Sequence, residues 1–275
     1  MTLRGKIDCV ALTDTGKVRE HNEDAIGSDV DTGLLVLADG MGGYNAGEVA
    51  SGIAVKTVLE LVHDGVRRER QAHDVSGEPD QTRQSVVLRD AITRANKIIY
   101  QTSKSQPQCE GMGTTIVAAL FYNNRVSIAH VGDSRVYRLR GDKFEQVTQD
   151  HSLLQELVDR GFYSQEEAMR SLNRNYVTRA LGIEPSVEVE VHEHDVRTGD
   201  IYVLCSDGLS DMVEDDDIHL TISTFNANLD MVGKQLIQLS NDNGGRDNVS
   251  VLMAHVKKSF EEPKSILGKL SNWFN

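Results

Sequence analysis

Long helical periodicity occupies a single stretch of this chain, with strand-like runs before and after it, and that order restricts the folds open to it. Ala50, Ile53, Ala54, Thr57 and Leu61 fall on one helical face, and Leu88, Ala91, Ile92, Ala95 and Ile99 fall on another. The polar stretch from His63 to Ser85, with Gly77-Glu78-Pro79 inside it, reads as a loop joining two antiparallel helices. Around this pair the apolar runs are short. Ile7 to Leu12, Leu34 to Ala38, Thr114 to Tyr122, Arg125 to Val131, Arg135 to Arg140 and Phe144 to Thr148 are predicted strands. Val187 to Val191, Ile201 to Cys205 and Val249 to Val256 complete the set, and Val187, Val189 and Val191 alternate with Glu188 and Glu190 as in a strand with one wet face. Asn123-Asn124 and Gly141-Asp142 sit between apolar runs as hairpin turns. Strands, two helices and more strands do not alternate as βαβ units. The expectation is an α+β fold with antiparallel sheets and helices outside.

One segment interrupts the later strands. From Asp150 to Arg179 there are two short helical stretches, the first over Ser152 to Arg160 and stopped by Gly161. Ser164-Gln165-Glu166-Glu167 has capping-box spacing for the second. Such an excursion between strands is a candidate lid. No internal repeat or linker appears, so a single domain is expected.

Bulk properties narrow the function. Of the 275 residues, 39% are apolar and 26% charged, as in an ordinary globular protein. The net charge of −13 repels nucleic-acid backbone and anionic lipid, which argues against both as partners. No apolar run approaches the ~20 residues needed to span a bilayer. Met1 to Ile7 lacks the apolar core of a signal peptide. Cys9, Cys109 and Cys205 have neither metal-type spacing nor a disulfide pattern and read as reduced thiols in a cytoplasmic protein.

The chemistry lies where acids interrupt apolar runs. Leu34 to Ala38 ends in Asp39-Gly40-Met41-Gly42-Gly43, and Ile201 to Cys205 ends in Ser206-Asp207-Gly208. Val126 to Val131 leads into Gly132-Asp133-Ser134-Arg135, and Arg246-Asp247-Asn248 precedes the last strand. One such acid could be ordinary Asp-Gly turn chemistry. Four repeats of the design make coincidence a poor account, because an unpaired carboxylate at the end of a buried strand is costly. A bound cation resolves that cost. Carboxylates and backbone oxygens without clustered His or Cys suit a hard ion, Mg²⁺ or Mn²⁺. Arg19-Glu20-His21-Asn22-Glu23-Asp24 adds a fork donor suited to phosphate and two further acids.

Taken in order from about Lys6 to Val256, these residues resemble the PP2C (PPM) family of metal-dependent protein Ser/Thr phosphatases, most of all its compact bacterial members. The carriers are Arg19 with Glu23-Asp24, Asp39-Gly40-Met41-Gly42-Gly43, Gly111-Met112-Gly113-Thr114-Thr115, Gly132-Asp133-Ser134-Arg135, Ser206-Asp207-Gly208 and Asp247-Asn248. The resemblance implies a β-sandwich of two antiparallel sheets flanked by helices, with two Mn²⁺ or Mg²⁺ ions in a cleft and room for a third. Asp39 would bridge the pair. Asp207 and Asp247 would hold the first ion, and the Gly40 carbonyl and Glu23, through water, the second. Asp24 would orient waters. Asp133 matches the position of a third, weaker metal that shares Asp207. Arg19 would grip the substrate phosphate, residues 150–179 would be the flap, and a metal-activated water would attack phosphorus directly. The substrates implied are phosphoserine and phosphothreonine in proteins, with a bacterial Ser/Thr kinase as the opposing enzyme. Met41 departs from the many eukaryotic members with histidine there, and it cannot donate a proton. His21 is near in sequence as an alternative proton donor but reads as structural, and His130, His151, His192, His194, His219 and His255 offer no ligand spacing.

Two other classes compete. A catalytically inactive scaffold on the same fold is disfavoured by the full set of acids. A phosphodiesterase or nuclease is disfavoured by the charge and the lack of a basic stripe. We expect a monomer with a phosphatase domain over residues 1–258 and a tail over 259–275. In the tail Ile266, Leu267, Leu270, Trp273 and Phe274 recur at helical spacing after Glu261-Glu262-Pro263. That stripe either packs on the domain or docks a partner.

Overall fold

Two antiparallel sheets lie face to face in the computed structural model, which describes residues 3–43, 46–71, 82–164, 176–225 and 228–261. One sheet holds β1 (Ile7–Asp14), β7 (Arg135–Arg140), β8 (Lys143–Gln146), β10 (Ile201–Cys205) and β11 (Val249–Val256), in the order β1-β11-β10-β7-β8. The other holds β2 (Asp24–Asp29), β3 (Leu34–Met41), β5 (Ile116–Tyr122), β6 (Arg125–Val131) and β9 (Glu190–Asp195), in the order β2-β3-β5-β6-β9. A two-residue strand, β4 (Gly113–Thr114), pairs with the end of β3.

Helices cover both outer faces. α1 (Ala46–Gln71) and α2 (Arg83–Ser105) pack on the β3 sheet, where Ala50, Ala54, Val58, Leu88, Ile92 and Ile99 meet Leu34, Val36 and Ala38. Between the sheets, Leu35 and Leu37 meet Tyr202, Leu204, Leu252 and Ala254. On the far side a single helical turn, α4 (Asp207–Ser210), and two helices, α5 (Asp215–Thr224) and α6 (Leu229–Asp242), cover Val203, Cys205, Val251 and Met253. The result is the expected α+β sandwich in four layers. β3 is buried on both faces, which is why it reads as an unbroken apolar run rather than an alternation.

Several expectations shift. β2 was not anticipated, since Asp24 to Asp29 contains no apolar run, yet it pairs residue for residue with β3. α5 and α6 were not anticipated either. α1 runs on through His63 to Gln71, into the expected loop, and its C-terminal end lies beside the start of α2, where a Cβ at Gly65 would sit 2.6 Å from Val87. The strand expected at Val187 to Val191 instead spans Glu190–Asp195. The three valines pack on the helix-side core, but pairing with β6 begins only at Glu190. The expected strand from Thr114 breaks at Thr115, and that from Phe144 is shorter. Asn123 and Asn124, at φ 44° and 56°, make the expected tight hairpin turn.

Between β8 and β9 the chain makes the expected excursion. Ser152 caps α3 (Leu153–Asp159), and Gly161 follows at φ 75°. The second helical start at Ser164 lies mostly outside the described residues, as does the stripe from Ile266 to Phe274. Phe260, however, is buried in the core between the sheets, and its N–H donates to Asn124 Oδ1 at 2.7 Å. The body of the fold therefore reaches Phe260, beyond the boundary expected at 258.

Candidate metal centre

Antiparallel pairing carries acids from both sheets to one edge of the sandwich. β3 ends and β2 begins there, so Asp39 and Asp24 are register partners. β10 ends and β11 begins there too, which places Ser206-Asp207 beside Asp247-Asn248. The turn between β6 and β7 supplies Asp133.

The carboxylates feel one another strongly. Asp39 and Asp207 are half-buried among the other acids, and burial first, then their neighbours, push both carboxyls well above the ordinary range. For Asp39 the neighbours are Asp24, Asp207, Asp133 and Asp247. For Asp207 they are Asp133, Asp211, Asp247 and Asp24. Burial raises Asp24 to about 6 against the opposing hydrogen bonds of Ser250 and Ser206, and burial with Asp150 raises Asp133 to about 6. Acids packed this closely either keep protons or share a cation. Asp24 Oδ1 and Asp207 Oδ1 are buried with no hydrogen-bond partner, as ligand oxygens aimed at an ion would be.

The backbone is shaped to the same end. A Cβ on Gly40 would lie 2.2 Å from the Gly47 carbonyl, and one on Gly208 would lie 1.9 Å from the Asn248 carbonyl. Only glycine fits at either place. Gly208→Ala should therefore force Asp207 and Asn248 apart and cost about 3 kcal/mol. A thermal melt checks this, and an unchanged Tm would contradict it.

Several residues that position the acids are legible only in the structure. Ser250 and Ser206 donate to Asp24 Oδ2 at 2.6 and 2.9 Å, from a different sheet than the one that carries Asp24. Asn248 Oδ1 accepts the Glu23 N–H at 2.8 Å, and its amide donates to the carbonyls of Thr15 and His21, both at 2.9 Å. That side chain fixes the loop bearing Arg19, Glu23 and Asp24. Thr115 N–H donates to the Asp39 carbonyl at 2.8 Å, which explains the break before β5. Glu23 lies against Gly47 at the start of α1, where a Cβ would meet its carboxylate at 2.7 Å. Arg19 stands half exposed at the mouth with Nη2 on Asp247 Oδ2 at 2.6 Å.

The seven residues expected to hold metal, Glu23, Asp24, Asp39, Gly40, Asp133, Asp207 and Asp247, thus come from strand ends and turns at one edge. His130, His151 and Glu190 form a different group that sequence spacing did not signal, with potential ligand atoms within 4.8 Å of one another. It does not fit a metal. The two rings stack at 4.5 Å and 17°, so their in-plane lone pairs run side by side rather than converge.

Comparison with known proteins shows which family the chain resembles. The family model described as Protein phosphatase 2C matches residues 16–244. The chain is 38% identical over 244 residues to the serine/threonine phosphatase stp of Listeria monocytogenes serovar 1/2a, which spans 88% of this chain and 92% of that protein. Among solved structures, the serine/threonine phosphatase PstP/Ppp of Mycobacterium tuberculosis superposes with a TM-score of 0.80 at 36% identity, covering 92% of this chain and 99% of that one. The catalytic domain of PstP in complex with two manganese ions gives a TM-score of 0.77, again at 36% identity with 92% and 99% coverage.

Proposed function

The chain belongs to the protein phosphatase 2C family, and from that premise we propose that its aspartate cleft hydrolyses phosphoserine and phosphothreonine in proteins with the help of two Mn²⁺ or Mg²⁺ ions. The observation that carries this reading is the convergence of Asp24, Asp39, Asp133, Asp207 and Asp247, with two carboxylate oxygens left unpartnered. Bound divalent cations of this class lower the pKa of a coordinated water toward neutrality and offset charge on phosphoryl oxygens.

The chain's own residues do the rest. Asp39, Asp207 and Asp247 would hold the ions, with Glu23 and the Gly40 carbonyl as further ligands. Asp24, fixed by Ser206 and Ser250, orients the attacking water. Asp133 with Asp207 would hold a third, weaker cation. Arg19 presents its guanidinium to the phosphate and exchanges its contact with Asp247 for one with substrate. Met41 offers no proton, so water in the cleft protonates the departing serine or threonine oxygen. With every acid in place, the inactive-scaffold alternative has no observation in its favour.

Hydrolysis of a phosphothreonine peptide in Mn²⁺, abolished by EDTA and restored by added metal, tests the reaction. Activity that survives chelation would overturn it. Arg19→Ala should raise KM about tenfold with a smaller fall in kcat. Unchanged kinetics would leave Arg19 as a partner of Asp247 alone. The opposing enzyme in this reading is a Ser/Thr kinase, and the site of action is the cytoplasm, with the protein a monomer. No helix among the described residues is long and apolar enough to cross a membrane. The phosphatase domain runs through Phe260, with the remainder a tail. Phosphoproteomics of a deletion strain tests the kinase pairing through the sites whose occupancy rises.

A further inference from the structure

The histidine pair beneath the excursion between β8 and β9 has no part in the reaction outlined above, yet its bonds lead to the acid cluster. His151 brackets Gly132 twice. Its N–H donates to the Gly132 carbonyl at 2.9 Å, and its Nδ1 accepts the Gly132 N–H at 3.1 Å. The next residue after Gly132 is Asp133. Gly132 has φ 109°, a conformation that favours glycine, and a glycine is free to leave it, so the bracket is what holds this turn in shape.

The same residue fastens both ends of the excursion. Thr178 N–H donates to the His151 carbonyl at 2.9 Å, Leu153 N–H donates to the Tyr176 carbonyl at 2.9 Å, and Ser152 bridges Val177. The imidazole's tautomer follows from its partners. Nδ1 accepts the Gly132 N–H, so the proton of the neutral ring sits on Nε2 and points to Glu190 Oε2 at 3.1 Å, nearer than Arg179 Nη1, which lies 3.4 Å from the same nitrogen. Stacking on His130, whose Nε2 donates to the Gln149 carbonyl at 2.7 Å, keeps the ring plane fixed. The His151 side chain is 8% exposed, and burial holds the ring neutral by lowering its pKa.

We propose that His151 is a positioning residue that joins the two ends of the excursion to the Gly132–Asp133 turn, so that the pairing of those ends and the placement of the Asp133 carboxylate change together. The consequence for metal binding rests on the role given to Asp133 above, but the coupling does not.

Two isosteres separate this role from simple core packing. Asparagine places an acceptor where Nδ1 stands, and glutamine reaches only the Nε2 position. In the unmodified protein, long-range ¹H–¹⁵N spectra should show His151 as the Nε2–H tautomer, and an Nδ1–H tautomer would overturn the proposal. In His151→Ala and His151→Gln the Gly132 amide should exchange with solvent about five- to tenfold faster, as expected for one lost hydrogen bond, with faster exchange at Thr178 alongside it. His151→Asn should restore both rates. Equal behaviour of the asparagine and glutamine variants, or faster exchange at Gly132 with Thr178 unmoved, would overturn the coupling. Calorimetric titration of the full chain with Mn²⁺ completes the test. The two tighter steps should be unchanged, and the weakest step should lose about fivefold in affinity in the alanine and glutamine variants only. Exchange that follows the expected pattern while all Mn²⁺ steps stay unchanged would uphold the coupling and remove Asp133 from metal binding.

Discussion

Asp39→Asn should lower turnover on a phosphopeptide by roughly three to four orders of magnitude, the scale on which enzymes depend on charge placed at the reacting centre. Asp39 is half-buried and feels four other carboxylates, and in the proposed role it would be a ligand that no neighbour replaces. The amide keeps the shape and removes the charge. A loss of fold cannot mimic the result, because the same substitution should stabilise the metal-free protein. Burial and the fields of Asp24, Asp207, Asp133 and Asp247 all oppose a charge at this position, and the amide removes the charge they oppose. The pair of measurements is decisive. Lower activity with a higher Tm in EDTA supports a ligand role, whereas lower activity with a lower Tm would make Asp39 a structural residue. Asp207→Asn should behave in the same way for the same reason.

Much of this site is legible in the amino-acid sequence because its logic is local. An acid that ends a buried strand, beside a glycine, is unusual in itself, and Asp39, Asp207 and Asp133 each announce themselves so. The ordering of those motifs also carries the fold class. What the sequence hides is the non-local part. Ser206 stands next to Asp207, and Ser250 reads as one more inward residue of β11, but nothing in either stretch says that both hydroxyls turn to Asp24. Asn248 looks like a turn residue and is instead the clamp on a loop more than 220 positions earlier in the chain. β2 escapes notice because its stability comes from pairing with β3 rather than from its own apolar content. α5 and α6 are legible in principle. Asp215, Asp216 and Asp217 crowd the first turn of α5, and Asn228 caps α6 with its side chain on the Met231 N–H. They lose out to the strand-like runs beside them. The histidine pair shows the opposite hazard. Proximity alone suggests a metal site, and only the stacking of the rings argues against one.

The stability gained from Mn²⁺ should grow steeply with pH. Burial raises the carboxyl of Asp24 from 3.8 to about 6, and it raises Asp133 by the same amount. Between pH 4 and 6 the folded, metal-free protein therefore holds protons that the unfolded chain has released. Stability falls with rising pH wherever the folded state binds more protons, so these acids favour the metal-free fold below pH 4 and cease to do so as pH passes 6. A shift of this size at one enclosed acid is worth about 3 kcal/mol. His130 works the other way. Burial lowers it to about 4, so the unfolded chain binds the extra proton below 6.5 and stability rises with pH in that window. In metal-free protein alone the two trends partly cancel. The difference between Mn²⁺ and EDTA melts isolates the acids, because a cation displaces their protons and leaves His130 untouched. That difference in Tm should widen by about 5–10 °C from pH 5 to pH 7.5. In Asp39→Asn, which has lost a member of the cluster, the widening should shrink markedly. Mn²⁺ and EDTA curves that ran parallel across this range would mean that the raised acids and the metal ligands are not the same groups.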